Sequence, residues 1–192
     1  PTRRSSDLDA KEVVASIYAG IHQRNVQTGH VRLTPILNFY NPESSTRYVR
    51  GYTSMPTIDT TKSHVNKVAG DDSSWQQIAV SALEGCKQVK TYVRNQYLEF
   101  YIPYLEGTTE RNYMPDFIAV VTKPDGESVH LLIEISHFPT YEPQKQETIR
   151  RYICDYWIEA VNTFGKYGQW TMLEVNNVDN LNELLTNKIQ NL

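Results

Sequence analysis

The sequence predicts a mixed α/β fold: a central mixed four-stranded sheet flanked by helices, in the order α-β-β-β-α-β, with one more helix at the end. Three observations predict it. Apolar residues recur at helical spacing over 74–95 and again over 144–163. Between these stretches, two apolar runs flank Lys123-Pro-Asp-Gly-Glu127, whose Pro, Asp and Gly each favour a tight turn. After the second helical stretch, Trp170 to Val175 reads as a strand and Leu181 to Ile189 as a helix.

The elements follow in order. Residues 1–8 contain Thr2-Arg-Arg-Ser-Ser-Asp-Leu8, which reads as an in-frame translation of a sequencing adapter, so the polypeptide proper is expected to begin near Asp9 and to be truncated upstream. Val13, Val14, Ile17, Tyr18 and Ile21 give residues 10–24 a helical spacing, and Val31 to Leu37 reads as a short strand. Residues 46–62 are polar and irregular, which suits a connecting segment. The first long helix is capped by Ser74 and carries Trp75, Ile78, Ala79, Ala82, Leu83, Cys86, Val89 and Val93. Leu98 to Tyr104 is the first predicted strand, and Gly107 to Asn112 a turn. Met114 to Thr122 and Val129 to Phe138 are the second and third strands. A loop over 139–143 leads to the helix over 144–163, ended by Gly165 and Gly168. The division expected is 1–8 as artefact, 9–72 as connector and 73–192 as the functional domain.

Composition narrows the function. At 192 residues, with 40% hydrophobic and 21% charged, the chain is neither disordered nor fibrous. Its thirteen tyrosines are read first as packing residues. No apolar run approaches the ~20 residues a membrane helix needs, and the N-terminus has no apolar signal core. Cys86 and Cys154 read as free thiols, so the expected location is the cytoplasm. No pair of histidines has zinc-ligand spacing. The net charge of -3 is unusual for a domain that grips DNA unaided, because phosphate contacts call for basic surface.

The chemistry lies in the central hairpin. Asp116 and Glu134 are acids in otherwise apolar strands, a costly placement unless something compensates them. Each is nine residues from Asp125 in the turn. A hairpin symmetric about that point sets them opposite each other on one face, and a divalent cation between them would remove their repulsion. Leu132, Glu134 and Ser136 share a face of the third strand. Pro115-Asp116, with a glutamate eighteen residues later and residue 136 on its face, has the spacing of the PD-(D/E)xK nuclease motif. Residue 136 is Ser where that motif has Lys. Lys145, at the start of the second helix, is the candidate replacement; Arg150 and Arg151 are weaker ones.

Further segments carry a wider resemblance. Ser63-His-Val-Asn-Lys-Val-Ala69, Ser74-Trp-Gln-Gln77, Leu83-Glu84, Tyr92-Val-Arg-Asn95, Phe100-Tyr-Ile-Pro-Tyr104 and Arg111-Asn-Tyr-Met-Pro-Asp-Phe117 lead up to the motif. Leu132-Ile-Glu-Ile-Ser136, Tyr156-Trp-Ile-Glu-Ala-Val-Asn162 and Tyr167 through Glu174 complete and follow it. Ser45-Thr-Arg47 and Thr61-Lys-Ser-His64 match the linker that joins helicase to nuclease. Over roughly residues 31–176 the chain resembles the C-terminal endonuclease domain of the Res subunit of Type III restriction enzymes. The resemblance implies a restriction-endonuclease-like fold and magnesium-dependent hydrolysis of double-stranded DNA, with manganese as a substitute. Asp116, Glu134 and Ile135 would bind the metal, and Lys145 would join Asp116 and Glu134 in catalysis. It also implies an ATP-driven motor upstream and a methyltransferase (Mod) partner subunit. No G-x-x-x-x-G-K-[ST] loop occurs here, so ATP would act only through the absent motor.

Other residues carry weaker expectations. Glu84 either faces the metal site or is a solvated helix residue. Packing is the expected role of His137 and Trp157, and a helix-end hydrogen bond that of Asn162. Arg94 and Arg111 are read as surface charge rather than phosphate binders. A catalytically inactive nuclease-like module, used for DNA binding or subunit assembly, is the second expectation, favoured by Ser136.

Overall fold

The structure is a computed structural model that describes residues 45–70, 75–106, 109–135 and 143–192. The expectations for residues 1–8, the helix over 10–24, the strand over 31–37, the Ser74 cap, Ser136 and His137 lie outside the described residues.

The sheet is built around one hairpin. Strand β6 (Phe117–Thr122) pairs antiparallel with β7 (Ser128–Ile135), from Phe117↔Ile133 to Thr122↔Ser128. The pairing is centred on Asp125, as the sequence predicts. The turn closes through Lys123 N–H to the Glu127 carbonyl at 2.8 Å and Gly126 N–H to the Lys123 carbonyl at 3.0 Å. Gly126 sits at φ 90°, a conformation that a side chain would strain. On one side of the hairpin, β3 (Val89–Arg94) runs antiparallel to β6; on the other, β8 (Gln169–Val175) runs parallel to β7. The order β3-β6-β7-β8 is a mixed four-stranded sheet, as expected, but with β3 in it and not the strand expected over 98–104.

Alternating residues of these strands feed two cores. Phe117, Ala119, Val121, Leu131, Ile133, Ile135, Leu173 and Val175 face α1 (Trp75–Gly85) and α4 (Leu181–Gln190), packing against Leu83, Leu181 and Leu185. Burial of each large side chain stabilises by roughly 1.5–3 kcal/mol. The other face carries Ile118, Leu132, Trp170 and Met172. It is covered by a single long helix: α2 (Pro143–Arg151), a π-helical stretch Tyr152–Ile158, and α3 (Glu159–Phe164). Ile153, Trp157 and Val161 point into this second core, as the helical spacing of apolar residues over 144–163 predicts. Gly165, at φ 72°, ends the helix. Asn162 fastens that end to β8, donating to the Trp170 carbonyl at 2.9 Å and accepting its N–H at 2.7 Å.

Three expectations are corrected. The first helix ends at Gly85, not near Asn95, and Val89–Arg94 is a strand. Val89 and Val93 fit a helical spacing, but Gly85 breaks the helix, and the β-branched and aromatic residues Val89, Thr91, Tyr92 and Val93 suit a pleated surface. Second, the strand expected over 98–104 starts at Ile102 and leaves the main sheet: β4 (Ile102–Glu106) pairs with β5 (Thr109–Tyr113), which overlaps the expected turn over 107–112. Thr109 to Asn112 are all exposed, so no hydrophobic alternation marks them. Third, the region around 46–62 is not wholly irregular. It holds a 3-10 turn (Thr46–Tyr48) and β1 (Thr57–Asp59), which pairs with β2 (Lys67–Ala69). Val68 enters the first core, and Lys62 to His64 run beside β3, with His64 N–H on the Tyr92 carbonyl at 2.9 Å. Among the described residues, no helix is long and apolar enough to cross a membrane.

Candidate active site

The β6–β7 pairing ends at Phe117↔Ile133; Asp116 follows directly, its N–H on the Ile133 carbonyl at 3.0 Å, and its charge acts on Glu134 of β7. The parallel register places Glu174 of β8 beside Glu134 on its other flank. Three acids therefore cross three neighbouring strands on the face beneath the long helix. Sequence reasoning missed Glu174. Its one sequence signal is a lone charge in the otherwise apolar run Met172-Leu-Glu-Val175, the same signal that marks Asp116 and Glu134.

Each acid is half-buried. One oxygen of Asp116 accepts the Ile135 N–H at 2.7 Å, tying the start of β6 to the end of β7. Glu134 accepts a hydrogen bond from the Tyr113 hydroxyl at 3.0 Å. Burial raises the Glu134 carboxyl to about 7, and the nearby Asp116 and Glu174 charges push the same way against the Tyr113 bond. Those two charges mark Asp116 and Glu174 as electrostatic neighbours of Glu134. A carboxylate held this close to half-neutral at pH 7 has an unmet demand for positive charge.

The candidate cations divide. Lys145 lies in the first turn of α2 and pairs with Glu106 of β4 at 3.2 Å. Arg111 takes the other oxygen of Glu106 at 3.1 Å. Arg150 is held by both oxygens of Glu147 at 2.8 Å, and that pairing, with smaller contributions from Cys154 and Glu174, raises its pKa. Arg151 also bonds Glu147, at 2.9 Å. Arg94 donates to the Ala69 carbonyl and lies over the Trp75 ring; burial lowers its pKa against the opposing charge of Asp116.

Glu84 serves neither role expected of it. Its carboxylate accepts from Thr61, from the Lys62 N–H at 3.1 Å and from the Tyr92 hydroxyl at 2.9 Å. It anchors the 61–62 backbone to α1 and β3, on the apolar side of the sheet. Burial would raise its pKa, but these hydrogen bonds together lower it. Trp157 is buried core, and Asn162 makes the expected helix-end bonds.

Among the described residues, no three Asp, Glu, His or Cys side chains converge to enclose a metal. Magnesium does not require them to: it usually takes one or two protein carboxylates and completes its shell with water and substrate phosphate. The all-oxygen donors Asp116, Glu134 and the Ile135 carbonyl fit that pattern. Compared with protein-family models, curated proteins and solved structures, the chain matches none.

Proposed function

We propose that the chain is a metal-dependent DNA endonuclease domain of restriction-endonuclease-like fold, of the kind found in Type III restriction enzymes. The observation that carries the reading is that Asp116, at the start of β6, and Glu134, at the end of β7, are electrostatic neighbours, with Glu134 raised to about 7 by burial and by its acidic neighbour. Asp116, Glu134 and the Ile135 carbonyl would hold magnesium. When bound, the ion would polarise the scissile phosphate and lower the pKa of the attacking water. The Asp116 bond to Ile135 N–H fixes where the two strand ends sit, so the carbonyl and both carboxylates keep one mutual geometry. Lys145 would supply the positive charge that Ser136 cannot, which requires it to leave Glu106; Arg150, near Glu174, is the other cation on this helix. DNA and a Mod subunit are the proposed partners, with most of the grip on DNA supplied outside this acidic chain.

The ion pair between Lys145 and Glu106 favours a second reading, an inactive nuclease-like module. Plasmid cleavage by the chain with magnesium or manganese separates them, run beside Asp116→Ala, Glu134→Ala and Lys145→Ala. Metal-dependent cleavage that vanishes in both acid variants supports the nuclease, and its loss in Lys145→Ala assigns the lysine. Absence of cleavage together with absence of metal binding by calorimetry leaves the inactive module.

A further inference from the structure

Tyr113 reaches the acid row from outside the main sheet. It ends β5, whose partner is β4, and so belongs to a hairpin separate from the strands that carry the acids. Its ring is 8% exposed in the core formed with Leu132, Ile153 and Trp157. A buried tyrosine hydroxyl needs a polar partner, and here that partner is Glu134 Oε2 at 3.0 Å. An ionised carboxylate only accepts, so the phenol donates. Glu134 Oε1 has no hydrogen bond among the described residues. The hydroxyl stands on a rigid, packed ring with two rotatable bonds, so it fixes how the carboxylate is turned.

Resting on the nuclease reading above, we infer that Tyr113 is a positioning residue, which holds Glu134 Oε2 and presents Oε1 as a monodentate ligand for a divalent cation. Groups that hydrogen-bond a metal-binding side chain orient it, and their loss typically costs ~10–100-fold in metal affinity. Tyr104 provides the control. It lies in the same core with the same 8% exposure, and among the described residues no hydrogen bond joins it to an acid.

The test titrates magnesium and manganese by calorimetry into the full chain, Tyr113→Phe and Tyr104→Phe. The expected result is an affinity about tenfold or more weaker in Tyr113→Phe, with Tyr104→Phe close to the parent. A second measurement needs no tyrosine variant: the infrared difference spectrum of the parent on adding magnesium, with the Glu134 band identified by its loss in Glu134→Gln. A monodentate carboxylate splitting is expected. Equal affinities in the parent and Tyr113→Phe, or a bidentate splitting, overturn the role of Tyr113 while leaving the nuclease standing. A parent that binds neither metal overturns both.

Discussion

The two faces of the central sheet come from the same strands and differ in kind. Toward α1 and α4, the residues of β6, β7 and β8 are uniformly apolar, from Phe117 to Val175. Toward the long helix, the alternate positions mix Ile118, Leu132 and Met172 with Asp116, Glu134 and Glu174. One face holds the fold together. The other gives up part of that stabilisation by keeping three carboxylates in a row.

The largest expected effect breaks the apolar face. Phe117→Ala should cost about 3–5 kcal/mol in denaturant unfolding, because Phe117 is fully buried against Trp75 and Tyr92. A loss under about 1 kcal/mol would show that this face is not the principal core.

The acid face should respond with the opposite sign. Glu134 has a folded pKa of about 7, above its ordinary 4.5, so its ionisation opposes folding. That penalty is absent below about pH 4, grows as pH rises toward 7 and is complete above it. Glu134→Gln should therefore stabilise the chain at pH 8 by up to roughly 3 kcal/mol, while abolishing the proposed cleavage. Melting curves at pH 4 and pH 8 check this; a Glu134→Gln chain less stable than the parent at pH 8 would sink the account of the row.

Smaller effects sharpen the comparison. Asn162→Ala removes two hydrogen bonds to β8 and should cost roughly 1–3 kcal/mol by thermal melting. Glu106→Ala removes only an exposed pairing of Lys145 and Arg111, and its stability effect should stay below about 1 kcal/mol. If cleavage rises in Glu106→Ala, the carboxylate holds Lys145 away from the acids; unchanged cleavage argues that Lys145 is not the missing cation.

The apolar face was easier to read from sequence than the acid face. Turn chemistry around Asp125 fixed the β6–β7 register as far as Phe117↔Ile133, and so brought Asp116 and Glu134 near each other, because an antiparallel pairing is set by its turn. The long helix was legible from Ile149, Ile153, Trp157 and Val161. Its π-helical stretch was not, since apolar periodicity does not resolve a change of hydrogen-bond register. Strand β3 was hidden because four-residue spacing of valines satisfies a helix as well as a strand with an irregularity between Val89 and Thr91. Strand β5 was hidden because its residues up to Asn112 are exposed and polar, so no apolar alternation marks it. Glu174 became meaningful only when the parallel register set it beside Glu134, a long-range fact that no local pattern contains.

Asn162 has a consequence beyond the helix it ends. A strand at the margin of a sheet is an open template on which a second chain can extend the sheet, and among the described residues β8 is such a margin. The Asn162 amide gives Trp170 the donor and acceptor that a foreign strand would offer, while the backbone of Lys62 and His64 does the same for Tyr92 on the opposite margin. The sheet is thereby guarded against edge-to-edge aggregation, at one end of β8 by a single side chain.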